Sequence, residues 1–212
     1  MTTICFSNLK GGVGKSTTLT HFAYWLSAIK KRKVAVVDAD GQSSTSTWLQ
    51  SMDIEVPIYR MTDPDELAEE IPKLEKTVDY LVVDNAGNLG EATRCTLLTA
   101  KLAVIPITPS GLDLVSAASA VRMVRQIQNA RSGLPLSGIF INRGVKNTKL
   151  LKEAQELLKQ LEGVKAFKQV IYQRQAIADA FLQNTTVWGL KGTEDAASDY
   201  QRLFTEILRL AK

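Results

Sequence analysis

The chain has 212 residues, 45% of them hydrophobic and 23% charged, a balance that fits a folded globular chain and excludes a disordered one. No apolar run reaches the roughly 18 residues that span a bilayer, and the net charge of +4 names no partner. One histidine (His21) and two cysteines (Cys5, Cys95) are too few for a Cys/His zinc site or a disulfide framework.

In chain order, the N-terminal MTTICFSNLKGG has no basic n-region, and Ser7 and Asn8 break its apolar stretch. No signal peptide is expected, and the expected location is cytoplasmic. Strands are predicted at Thr3–Ser7, Lys33–Asp38, Tyr80–Asp84, Lys101–Ile107 and Ser137–Asn142, with weaker ones at Val56–Tyr59 and Ala166–Ile171. Most are continuously apolar at their centres, as strands covered on both faces are. Helical patterns fall between them, at Ser16–Ile29, Pro64–Glu75, Glu91–Ala100, Leu114–Asn129, Thr148–Leu161 and Glu194–Ala211. Asp63 before Pro64 is an N-cap followed by proline at the first helical position. The alternation predicts an α/β fold, a doubly wound and mostly parallel sheet with helices on both faces. No linker or repeat divides the chain, so residues 1–212 are expected to form one domain.

The segment Lys10-Gly11-Gly12-Val13-Gly14-Lys15-Ser16-Thr17 follows the first strand and opens the first helix. It meets the end of the G-x-x-x-x-G-K-[ST] pattern, but Leu9 stands where the first glycine belongs. Glycines at 11, 12 and 14 leave backbone N–H groups able to close around a phosphate at a helix N-terminus. Lys15 would reach the β- and γ-phosphates, the Ser16 hydroxyl would hold Mg²⁺, and Thr17 would assist at the α-phosphate. The second strand delivers Asp38 and Asp40 to the carboxyl edge of the sheet, where ligands of such folds bind. The fourth delivers Asp84, the pattern of a carboxylate in a Mg²⁺ shell.

The loop resembles the deviant Walker A motif of the ParA/MinD ATPases, in which an extra lysine opens the turn. The resemblance implies a P-loop ATPase fold with ATP and Mg²⁺ as cofactors. It also implies an ATP-dependent sandwich homodimer in which Lys10 reaches the phosphates held by the partner copy. Asp38-Ala39-Asp40 is similar to the family's Asp-x-Asp switch: Asp40 is then the residue that orients the attacking water, and Asp38 sits in the metal shell or holds the loop. Gly41 replaces the usual proline. Asn85-Ala86-Gly87-Asn88, Pro109-Ser110-Gly111-Leu112-Asp113 and Gln173-Arg174-Gln175 resemble the small plasmid-partition ParA subgroup, and the chain as a whole is similar to small ParA-type and McdA-type carboxysome-positioning members of the family. By the same resemblance Asn142 and Arg143 lie at the adenine base, although an asparagine there can equally satisfy loop backbone.

From Arg143 to Arg174 eight cations face three glutamates, a local net of +5. Such a patch suits non-specific DNA, since phosphate contacts give affinity without base information. The candidates are Lys146, Lys149, Lys152, Lys165, Lys168 and Arg174. A solvated helix face with i,i+4 pairs is the plainer alternative. The resemblance implies a nucleoid-associated ATPase with slow hydrolysis, stimulated by a small adaptor of ParB or McdB type, that positions a plasmid or carboxysome cargo. A MinD-like membrane-associated ATPase and a small-molecule ATP-dependent ligase are the alternatives. The apolar stripe of the last helix is expected to dock on the core, so no membrane partner is expected.

Overall fold

A computed structural model describes residues 1–88 and 90–212; for residues 112–115 only the backbone is described, so Leu112 and Asp113 of the 109–113 segment lie outside the described side chains. Seven strands form one sheet: β1 Thr2–Phe6, β2 Val34–Ala39, β3 Ile58–Arg60, β4 Tyr80–Asn85, β5 Leu102–Ile107, β6 Leu136–Ile141 and β7 Lys165–Ala166. Their order is β3-β2-β4-β1-β5-β6-β7, and every pairing is parallel. The helices are α1 Lys15–Tyr24, α2 Ser44–Gln50, α3 Pro64–Glu75, α4 Glu91–Thr99, α5 Gly111–Ala130, α6 Lys149–Lys159, α7 Gln175–Leu182 and α8 Glu194–Leu210.

The continuously apolar strands are covered on both faces, as their sequences require. Successive side chains point to opposite faces, so each strand feeds two cores. Ile4, Phe6, Val36, Val82 and Val104 join Leu19 and Phe22 of α1, Trp48 of α2 and Leu203 and Phe204 of α8. Cys5, Val37, Val83 and Ile105 join Leu67 and Ile71 of α3, Leu97 of α4, Val121 of α5 and Leu151 and Leu158 of α6. The stripe of α8 is buried at Tyr200, Leu203, Phe204 and Ile207, and no helix among the described residues is long and apolar enough to cross a membrane.

The helices α2 and α7 were not among the predicted helices, and among the boundaries that differ from the sequence reading three stand out. The first helix leaves α geometry at Trp25, and Trp25–Ile29 forms a π turn. The third strand starts later than Val56 because Pro57 has no N–H to give; its carbonyl instead accepts from Val36 N (2.9 Å). The expected strand at Ala166–Ile171 stops at Ala166. The backbone N–H groups of Lys168 and Gln169 turn to the Glu206 carboxylate of α8, at 2.8 and 3.0 Å. The glutamate that interrupts the stripe of α8 therefore fastens that helix to the sheet edge.

Candidate functional site

The loop between β1 and α1 sits at the carboxyl edge of the sheet, with β4 on one side of β1 and β5 on the other. Gly14 is the N-cap of α1 in the left-handed region (φ 90°), and no side chain caps the helix. The first N–H groups of α1 are thus left for an anion. Gly11 and Gly12 are exposed, and a Cβ on either would meet nothing within 4 Å. Val13 faces the core and Gly14 is buried.

Two asparagines hold this loop from below. Asn142, buried at the end of β6, donates from Nδ2 to the Val13 carbonyl (2.8 Å). It lies so close that a Cβ on Gly14 would come within 2.1 Å of that nitrogen. Asn8 donates to the Pro106 carbonyl (2.6 Å) and accepts from the Lys10 backbone N–H (3.2 Å). Gly87, in the loop after β4, lies against the same backbone: a Cβ there would stand 3.2 Å from Gly11 N.

Lys15 is buried, and burial lowers its ammonium below the usual lysine range while Asp84 and Asp40 pull it back up. A buried cation facing carboxylates is what a triphosphate needs. Asp38 and Asp84 are direct register partners on β2 and β4, and both are buried. Asp38 Oδ2 accepts from the Ser46 N–H (2.8 Å) and hydroxyl (2.7 Å), and its Oδ1 accepts from the Asp40 N–H (3.3 Å). Asp84 Oδ2 accepts from the Thr45 hydroxyl (2.5 Å). Burial pushes Asp84 up to about 7, against the lowering pull of the Ser16 and Thr45 hydroxyls; Asp38 adds to the rise and Lys15 opposes it.

Asp84 Oδ1 is buried and has no hydrogen-bond partner among the described residues. That orphaned oxygen, with Ser16 beside it, fits a divalent cation that takes few protein ligands and the rest from phosphate and water. Among the described residues no group of three His, Cys, Asp or Glu could hold a metal ion by itself. Asp38, with every bond to the 40–46 turn, is placed to hold that turn. Asp40 is half-buried and its Oδ1 accepts from Gln42 N (3.0 Å).

Arg143 is exposed in the left-handed region (φ 56°) and, with Thr17, Asn142, Tyr172, Gln175 and Ile177, lines a cavity of about 230 Å³ next to the loop. Its apolar and amide walls suit a heterocyclic base. The lysines of the basic stretch scatter more widely. Lys146 lies over the Tyr172 ring (5.0 Å), and Lys149 pairs with Glu153 (3.4 Å). Lys152, Lys165 and Lys168 are exposed. Arg174 is instead held by Asp199 (2.7 Å) and Asp195 (3.5 Å) of α8. Thr45, Ser46 and Asn8 were not expected at the site, and Gly87 was noted only as part of a motif; a hydroxyl run, Ser43 to Thr47, three residues after Asp40 was the available signal for the first two.

A parallel sheet carrying a glycine turn, a buried lysine and paired strand-end aspartates on one edge defines a phosphate-binding nucleotide domain. The chain belongs to the CobQ/CobB/MinD/ParA nucleotide binding domain family, whose model matches residues 4–187. It is 24% identical over 213 residues to the maintenance of carboxysome distribution protein A of Halothiobacillus neapolitanus, covering 97% of this chain and 96% of the relative. It is 30% identical to the protein of the same description from Gloeobacter kilaueensis, covering 95% and 92%. Its fold superposes on apo McdA of Cyanothece with a TM-score of 0.81 at 19% identity, covering 98% and 99%. The seven-stranded parallel sheet is the ParA/MinD ATPase fold, and the chain is a member of that class of nucleotide-binding ATPases.

Proposed function

We propose that this chain is a ParA-type ATPase that dimerises on ATP, binds DNA without sequence preference and positions a cargo through adaptor-stimulated hydrolysis. The observation that carries this reading is the open backbone of Gly11 and Gly12 beside buried Lys15, opposite Asp38 and Asp84. Bound Mg²⁺ would offset the charge of the phosphates. Ser16 and Asp84 are the residues to hold it. Lys15 holds the β- and γ-phosphates, and the uncapped N–H groups of α1 take the remaining oxygens. Asp40, at the mouth of the site, orients the attacking water. Lys10 opens the turn from the exposed side and is the cation offered to a second copy facing the loop. Arg143, Tyr172 and Gln175 border the adenine, and the Asn142 amide serves the loop carbonyl.

The exposed Lys146, Lys149, Lys152, Lys165 and Lys168 form the DNA candidates, with Arg174 a weaker one because two aspartates already engage it. Relatives described as carboxysome distribution proteins support a positioning role; a small adaptor of ParB or McdB type then selects plasmid or carboxysome. The buried stripe of α8 speaks against the MinD-like membrane alternative. Retention on random duplex DNA, measured with MgATP or MgADP across a salt series, tests the reading. ATP-selective binding that weakens steeply with salt is expected. Equal retention with both nucleotides, or none at low salt, contradicts it.

A further inference from the structure

Residues 183–193, between α7 and α8, are tied to both helices that carry the site. The Trp48 indole N–H of α2 donates to the Thr185 carbonyl (2.9 Å). The Val187 N–H donates to His21 Nε2 of α1 (3.2 Å). With Nε2 accepting, the imidazole proton sits on Nδ1 and is given to the Thr17 carbonyl (2.8 Å). The rings interlock as well: His21 stacks on Tyr200 (4.5 Å) and meets the edge of Trp48 (5.3 Å), and Phe181 meets Trp48 edge-on (5.4 Å). The segment itself is tight, since a Cβ on Gly189 would stand 2.0 Å from Thr185 Oγ1.

The helix on the far side of this contact is intrinsically weak. α2 spans seven residues, begins Ser-Thr-Ser-Thr and has no side-chain cap. A helix that short is unstable without tertiary anchoring, and serine and threonine lower its propensity further. Yet it presents the Thr45 hydroxyl to Asp84 and the Ser46 hydroxyl and N–H to Asp38. Trp48 and Leu49, buried on the next turn, anchor it into the core, and of the two only Trp48 also reaches the 183–193 segment by a hydrogen bond. The phosphate loop is held separately, by Asn8 and Asn142. Loosening α2 should therefore reach the carboxylates without reaching the loop.

We propose that Trp48 is a positioning residue for hydrolysis: its hydrogen bond to the Thr185 carbonyl pins α2, and through Thr45 and Ser46 it fixes the two carboxylates of the site. This role rests on the ATPase reading above. Trp48→Phe deletes the N–H donor and keeps an aromatic ring. Losing one such hydrogen bond corresponds to about a three- to tenfold change. The expected result is kcat three- to tenfold lower, with affinity for a fluorescent non-hydrolysable ATP analogue in EDTA, which reads the phosphate loop without the metal, within twofold of wild type. Phe181→Ala removes the ring that backs Trp48 from a position 44% exposed, where truncation costs the fold less than in the core; its kcat should fall in the same sense, about twofold. An unchanged kcat in Trp48→Phe overturns the role, as does a parallel loss of kcat and analogue affinity. Should that variant fail to fold, an unchanged kcat in Phe181→Ala overturns it instead. A wild-type chain that binds the analogue but never hydrolyses ATP removes the ATPase reading and this role with it; wild-type turnover beside insensitive variants removes this role alone.

Discussion

Asp84→Asn in the chain free of nucleotide and magnesium should make the fold more stable at neutral and alkaline pH. Asp84 is buried beside Asp38, and its carboxyl rises from 3.8 to about 7 in the fold. A raised carboxyl helps the fold below its unfolded pKa and costs progressively more as pH climbs from 3.8 to about 7, where the cost levels off. At about 1.36 kcal/mol per pH unit, that cost reaches about 4 kcal/mol by pH 8. Less than half of it is present at pH 5. His21 works in the opposite sense, because burial drops it from 6.5 to about 4 and its contribution is lost as pH falls through that window. The two slopes nearly cancel in the wild type below pH 6.5, so the signal lies in the difference between wild type and Asp84→Asn. Urea unfolding in EDTA at pH 5, 6, 7 and 8 should show the variant's advantage growing by about 2 to 3 kcal/mol between pH 5 and 8. A pH-independent difference would refute the burial argument for Asp84. Adding Mg²⁺ and a non-hydrolysable analogue should reverse the ranking, because the variant lacks the anionic ligand.

Gly14→Ala adds a Cβ at a φ of 90° and 2.1 Å from the Asn142 amide, so analogue affinity should fall at least about tenfold. Gly12→Ala, strained at φ 77° but with open space around it, should cost about 1 kcal/mol of stability, and equal loss in both variants would remove the role given to Asn142. Asp40→Ala should lower steady-state hydrolysis about 100-fold or more and accumulate ATP-bound dimer; normal turnover would shift the catalytic role to Asp38.

What the sequence made legible follows from which interactions are local. Continuous apolar runs such as Leu81-Val82-Val83 need cover on both faces, so the parallel sheet was readable from pattern alone. The glycine turn was readable because its chemistry lies within eight consecutive residues. The contacts that hold the turn were not, since Asn142 to Val13 and Asn8 to Pro106 join residues about a hundred or more apart. Thr45 and Ser46 meet Asp84 and Asp38 only because β2 and β4 pair in a register that no local pattern encodes. Arg174 illustrates the reverse: counted as one cation of a basic stretch, it is engaged by Asp195 and Asp199, more than twenty residues downstream.

In the proposed function two copies close face to face on ATP, each offering Lys10 to the other's phosphates. Light-scattering mass of the wild type and of Lys10→Ala, each with MgADP and with a magnesium complex of non-hydrolysable ATP, tests it directly. Wild type should double in mass with the ATP analogue only, and Lys10→Ala should stay monomeric with both nucleotides. Wild type that stays monomeric on the analogue, or Lys10→Ala that dimerises as readily as wild type, contradicts it.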